Sequence, residues 1–188
     1  MEKKYRLTEE TINITDTILY RIEALKDFSD VKRGDKGGFV ENENNLSQYD
    51  NCWVYGNAKV FDNAEICDDA KVCDNTIVCG KAKVSDNAKI YDSAIVFGDA
   101  IVYDYAEVYD KAIVYDNAEV CGNAVVCDYA LVYENAIISG DAWVFGNAKV
   151  HEDALICDNA AVYNNSEVYG KAVVCDYAIV YDNIKVYE

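Results

Sequence analysis

Val108-Tyr109-Asp110-Lys111-Ala112-Ile113 is followed at once by Val114-Tyr115-Asp116-Asn117-Ala118-Glu119, and the same six-residue unit continues without a break from Val54 to Glu188. Stepping by six from Val54 to Val186 gives 23 positions, every one Val or Ile; four residues after each of the first 22 stands Ala, except at Thr76, Ser166 and Ile184. Side chains alternate sides along a strand, so Val and the Ala two residues before it point inward while the residues flanking Val point outward. The two remaining residues are turn formers. Asp or Gly fills the first of them at 19 of 22 positions, and Asn is commonest at the second. Asn and Gly tolerate positive φ, which lets a short strand bend sharply and restart.

Outward from this stretch, residues 1 to 36 carry no repeat and read as a short N-terminal β cap, with residues 37 to 188 forming one continuous repeat unit. Thr11 to Thr15 alternates, and Arg33-Gly34-Asp35-Lys36-Gly37-Gly38 reads as a turn between strands. A helix over 18 to 27, with Leu19, Ile22 and Leu25 on one side, is the competing assignment for the apolar run. Val40, Leu46 and Cys52 precede Ala58 in steps of six and are expected to extend the alanine column with larger residues, implying an irregular first coil.

The unit resembles the hexapeptide repeat of left-handed parallel β-helices, in which three six-residue sides close an 18-residue triangular coil. Residues Leu19 to Phe28, Gly37-Gly38-Phe39-Val40-Glu41, Asn45-Leu46-Ser47-Gln48 and Cys52-Trp53-Val54-Tyr55 also resemble the start of the YdcK-like β-solenoid family. The expected fold is therefore all-β, a single-stranded left-handed parallel β-helix with a short N-terminal β cap. Handedness comes from the resemblance, since crossovers are ordinarily right-handed. Many such helices are acyltransferases, and that resemblance implies a histidine base in a groove between subunits, with a loop thrown out of the coil and a helical C-terminal cap.

Residues 18 apart should stack at about the 4.8 Å strand spacing, giving a rod roughly 36 Å long. One outward column then reads Phe61, Cys79, Phe97, Tyr115, Tyr133, His151, Tyr169, Tyr187, a second is mostly Tyr, and a third is small and Cys-rich. With the column that precedes Val, this gathers Ile77, Ile95, Phe97, Ile113, Tyr115, Leu131 and Tyr133 into one flat outward patch, larger than monomers usually expose. The patch is read as the interface of a homo-oligomer, a dimer being favoured. Val180 and Val186, in the last coil of the sequence, offer a second route by end-to-end pairing of strand edges.

The net charge is −17, and the repeat carries most of it: residues 51 to 188 hold 23 acidic and 9 basic residues, hence −14. Direct binding of nucleic acid or an anionic membrane is disfavoured, and a basic protein is the better partner. Asp74, Asp92, Asp110 and Asp128 form an acidic ladder at one corner. Its bland role is turn formation; its sharper one is polyanion mimicry, because the rod carries about one net charge per 2.6 Å against one per about 1.7 Å of duplex DNA. A phage-type anti-defence decoy that blocks a basic host protein is thus an alternative to an interaction scaffold.

The single histidine, His151, falls inside the aromatic column and is a weak catalytic candidate, packing in the ladder being its simpler role. The eight cysteines include no CxxC, which argues against zinc, and calcium finds no dedicated loop, so neither metal nor cofactor is expected. Of the repeat cysteines, Cys157 and Cys175 are adjacent in one column. No apolar run of 18 residues occurs and Met1 to Glu10 lacks the apolar core of a secretory signal, so the expected location is cytoplasmic. The sequence reads as a non-enzymatic, acidic, self-associating interaction protein.

Overall fold

The computed structural model describes residues 2–188. Three antiparallel-to-parallel strands begin it: β1 (Tyr5–Ile14), β2 (Thr17–Ala24) and β3 (Lys36–Val40). β1 and β2 form an antiparallel hairpin, β2 pairs antiparallel with β3, and β3 pairs parallel with Lys59–Val60 of the first regular coil. The apolar run is thus strand, not helix: Ile22 and Ala24 join the core and Leu19 is also buried, with a register shift between Arg21 and Glu23.

Beyond β3 the chain is a parallel β-solenoid of 18-residue coils. Strand partners lie 18 residues apart, as in Ile77↔Ile95, Ile95↔Ile113 and Ile113↔Leu131. Three flat faces result. Face I contains Lys59–Val60 and every third strand to Lys185–Tyr187; face II runs from Trp53–Val54 to Ile179–Val180; face III runs from Glu65–Ile66 to Val173–Val174. Each coil donates its amides to the next, for example Ile95 N to Ala112 O at 3.0 Å and Phe97 N to Val114 O at 3.0 Å.

Through the middle coils the inward columns are fully buried: Val96, Val102, Val108 and Val114 at the face centres, Ala94, Ala100, Ala106 and Ala112 beside the corners. Burying one Val or Ile contributes about 1.5 kcal/mol or more, and every position of this column from Val54 to Val180 is buried. The exceptions in the alanine column are explained locally. The Thr76 hydroxyl donates to Cys73 O and the Ser166 hydroxyl to Tyr163 O at 2.8 Å, so each buried polar group closes its own turn.

At all 22 corners between Gly56 and Asp182 the first turn residue is left-handed, Asp at φ 56–61° and Gly at 59–76°. The asparagines that usually follow do not carry this conformation. Asp is favoured there because its short polar side chain tolerates that region and then accepts a backbone bond. Asp62 Oδ2 accepts from Gly80 N at 3.1 Å, Asp128 Oδ2 from Gly146 N at 3.0 Å, and Asp158 Oδ2 from Asp176 N at 3.2 Å. The carboxylate of one coil thereby satisfies an amide of the next.

One register differs from expectation. Val40 pairs with Val60 and Leu46 bridges Ile66, each 20 residues on, whereas Trp53 pairs with Lys71, 18 on. Val40 and Leu46 therefore belong to the valine column, and only Cys52 stands in the alanine column. Two extra residues between Leu46 and Cys52 widen this corner, and Lys4 fills it. Its buried ammonium donates to Tyr49 O at 2.9 Å and Cys52 O at 3.0 Å. The glycines of β3 have a steric reason as well. A Cβ on Gly38 would lie 2.5 Å from Ala58 O and 2.7 Å from Val54 Cγ1, so a side chain there would push the cap off the first coil.

Candidate functional site: a ring ladder beside acidic corners

On face I the rings of Phe97, Tyr115, Tyr133, His151, Tyr169 and Tyr187 stack in one column, with successive centroids 4.7–5.3 Å apart. The in-register strands force this spacing, and each stacked pair contributes about 0.5–1.5 kcal/mol beyond area burial. Beside the rings, Ile77, Ile95, Ile113 and Leu131 stand directly opposite one another on consecutive coils. The structure brings all seven residues of the expected patch onto this one face, each half-buried by its stacked neighbours. Face II carries shorter stacks, Tyr91–Tyr109 at 4.7 Å and Phe145–Tyr163 at 4.8 Å, separated by the buried Cys127.

His151 is held from four sides. Tyr133 and Tyr169 cover its two faces at 4.7 and 5.3 Å, Nε2 lies 3.2 Å from Glu167 Oε1, and Nδ1 lies 3.7 Å from Glu134 Oε2. Its side chain is 13% exposed. A general base must point a free nitrogen at the proton it removes, and here both ring nitrogens face carboxylates. Lys185, 2.5 Å from Glu167, holds that carboxyl below its ordinary value, with the His151 bond adding to the effect. Stepping by 18 and allowing for the two outward positions would have found Glu167 in the sequence.

Near this ladder the corner column Asp99, Asp116, Glu134, Glu152 and Asp153 lines an open acidic groove. Donor atoms of Glu134, His151 and Glu152 lie within 4.8 Å of one another, as do those of Cys157, Asp158 and Cys175, so these two groups have the spacing of cation ligands. The other acidic ladder is at the corner between faces II and I. Asp74, Asp92, Asp110 and Asp128 all adopt the left-handed region, Asp74 Oδ2 accepting from Asp92 N at 3.3 Å. The Asp74 and Asp128 carboxylates hold coils together as well as carrying charge.

Val180 is buried and Val186 half-buried in strands at the outer edge of their sheets. Around them Val173, Tyr177 and Ile179 are strongly exposed, Tyr177 to 80%.

Burial pushes many acids of the faces upward. Cys73 and Cys79 rise from 9.0 to about 11, and Tyr133 from 10.0 to about 12, burial being the largest cause in each. A group whose folded pKa is raised gives stability that is complete below its unfolded pKa and lost as pH climbs through the folded one. The melting temperature is thus expected to be flat up to about pH 9, then to fall steeply between about pH 9 and pH 12. Circular-dichroism melts across that range check it, and a Tm unchanged at pH 11 would contradict it.

No protein-family model matches the chain. The chain is similar to the uncharacterized acetyltransferase YdcK of Escherichia coli (strain K12), with 37% identity over 60 residues. The match covers 28% of this chain and 18% of that protein's length.

Proposed function

We propose that this chain is a non-enzymatic, acidic β-solenoid interaction protein that self-associates as a dimer through face I and engages a protein partner from its remaining surface. The observation that carries this is the in-register wall of Ile77, Ile95, Ile113 and Leu131 alongside stacked Phe97, Tyr115 and Tyr133. It is flat and rigid, so a second copy can cover it without ordering anything, which keeps the entropic cost of association low. The eight free cysteines suit a reducing, cytoplasmic setting.

Salt separates this from ionic assembly. Two chains of −17 repel each other, and the Debye length shrinks from about 30 Å at 0.01 M to about 10 Å at 0.1 M ionic strength. Association through an apolar face should therefore tighten as salt rises. Light scattering at the two ionic strengths tests it: an assembly that dissolves in salt sinks the apolar-face dimer and favours the acidic decoy of a basic host protein.

A second reading, hexapeptide-repeat acyltransferase, is favoured by the similarity to a protein named as an acetyltransferase and by the position of the sole histidine on face I. Pairing along that face would bring His151 into a groove between subunits. Its engaged nitrogens and the acidic groove beside it oppose both base chemistry and an anionic acyl-CoA. Acetyl-CoA turnover that disappears in His151→Ala would establish this second reading.

A further inference from the structure

Face III presents the outward column Cys67, Ser85, Tyr103, Cys121, Ser139, Cys157 and Cys175. Cys67 has Ser85 one coil on, and Cys121 lies between Tyr103 and Ser139. Cys157 and Cys175, by contrast, follow directly paired strands, Leu155↔Val173 and Ile156↔Val174, so their thiols project side by side. Asp158 comes next and is left-handed at φ 56°, which turns its chain at the corner beside the two thiols. Sulfur of Cys157, sulfur of Cys175 and a carboxylate oxygen of Asp158 all lie within 4.8 Å of one another.

We infer that Cys157, Cys175 and Asp158 form a binding site for a thiophilic divalent cation of the zinc or cadmium class, with solvent in the fourth position. At about 2.3 Å per zinc–sulfur bond, tetrahedral geometry sets two thiolates roughly 3.8 Å apart, and the donor atoms here already lie within 4.8 Å of one another. Both thiols are half-buried while Asp158 is exposed, so one side of the ion stays open. Asp158 Oδ2 also accepts from Asp176 N, an outer contact that orients the carboxylate and leaves its second oxygen free. The rod's charge of −17 concentrates cations at its surface.

The ion displaces protons rather than electrons. Each thiol gives its proton to solvent as its sulfur bonds the metal, so two protons leave per ion bound. Metal and proton compete for each thiolate, so binding tightens as pH rises. Cys67 provides a control within the same molecule. Its sulfur lies 3.2 Å from Asp68 Oδ2, the same thiol–carboxylate pair without a second thiol.

The test is titration of the full, chemically reduced chain with Cd²⁺, following thiolate-to-cadmium charge-transfer absorbance against a competing chelator. Saturation at one equivalent per chain is expected, with Cys157→Ser and Cys175→Ser each weakening binding by more than about a hundredfold and Asp158→Asn by about tenfold. Cys67→Ser should leave the titration unchanged. Serine already occupies this column at Ser85 and Ser139, so the variants are compatible with the fold, and unchanged melting curves verify that. Absence of the band in the reduced wild-type chain, or its persistence in the C157S/C175S double variant, would overturn the site.

Discussion

Ala106→Leu is expected to destabilise the rod by about 3 kcal/mol, whereas Val108→Ile, two residues on, should change stability by less than about 1.5 kcal/mol. Both side chains are fully buried, so burial alone does not distinguish them. Position in the coil does. The valine column already takes isoleucine at Ile66, Ile90, Ile138 and Ile156, where the centre of each face has room for another methylene. The alanine column sits against the corner, where the chain has just passed through a left-handed residue and turns onto the next face. Its buried occupants other than alanine are Cys52, Thr76 and Ser166, all small; Ile184 is 45% exposed and escapes the constraint. Leucine at Ala106 must displace backbone on two adjoining faces. Denaturant unfolding of the pair checks the contrast, and equal losses would show that the coil interior does not discriminate corner from centre.

Lys4→Met should cost about 2–4 kcal/mol, concentrated in the cap and first coil, because removing the ammonium leaves the carbonyls of Tyr49 and Cys52 without their donor in a buried corner. Desolvation lowers the Lys4 pKa, as expected of an ammonium taken out of water. The two tryptophans separate local from global loss. Trp53 is 1% exposed and packs edge-on against Phe28 at 5.4 Å and Tyr5 at 6.1 Å, whereas Trp143 is 47% exposed on a distant coil. The expected outcome is earlier exposure of Trp53 in denaturant with the main unfolding step retained. A single unshifted transition would mean that the widened corner does not depend on its lysine.

The sixfold step made the fold legible, and the eighteenfold step made the faces legible. Val and Ala mark inside, their neighbours mark outside, and in-register pairing turns sequence columns into physical ladders such as Phe97–Tyr115–Tyr133. Legibility stopped where the period did. The two residues inserted between Leu46 and Cys52 shifted Val40 and Leu46 from one inward column to the other, and a count in sixes has no means of detecting that. Lys4 was invisible because its partners, the carbonyls of Tyr49 and Cys52 and the Cys52 sulfur, lie 45 and 48 residues away, outside any repeat spacing. The corner aspartates were read as turn formers; their second role, accepting an amide from the following coil, depends on carboxylate direction. The eighteenfold step sets His151 between Tyr133 and Tyr169 and puts Glu167 on the same face, while the approach of Glu134 from the corner depends on carboxylate direction.

Face I as the association surface is the central claim, and sedimentation equilibrium of the wild type beside Ile95→Lys/Ile113→Lys addresses it most directly. Lysine fits that column, since Lys59 and Lys149 already occupy it on either side of the aliphatic run. The two added positive charges also reduce the repulsion between chains of −17, so electrostatics alone would promote pairing of the variant. The wild-type chain is predicted to sediment at twice the mass of one chain and the double variant at the mass of one, with unchanged circular dichroism. A wild type that stays monomeric at every concentration, or a double variant that keeps the dimer mass, would contradict it.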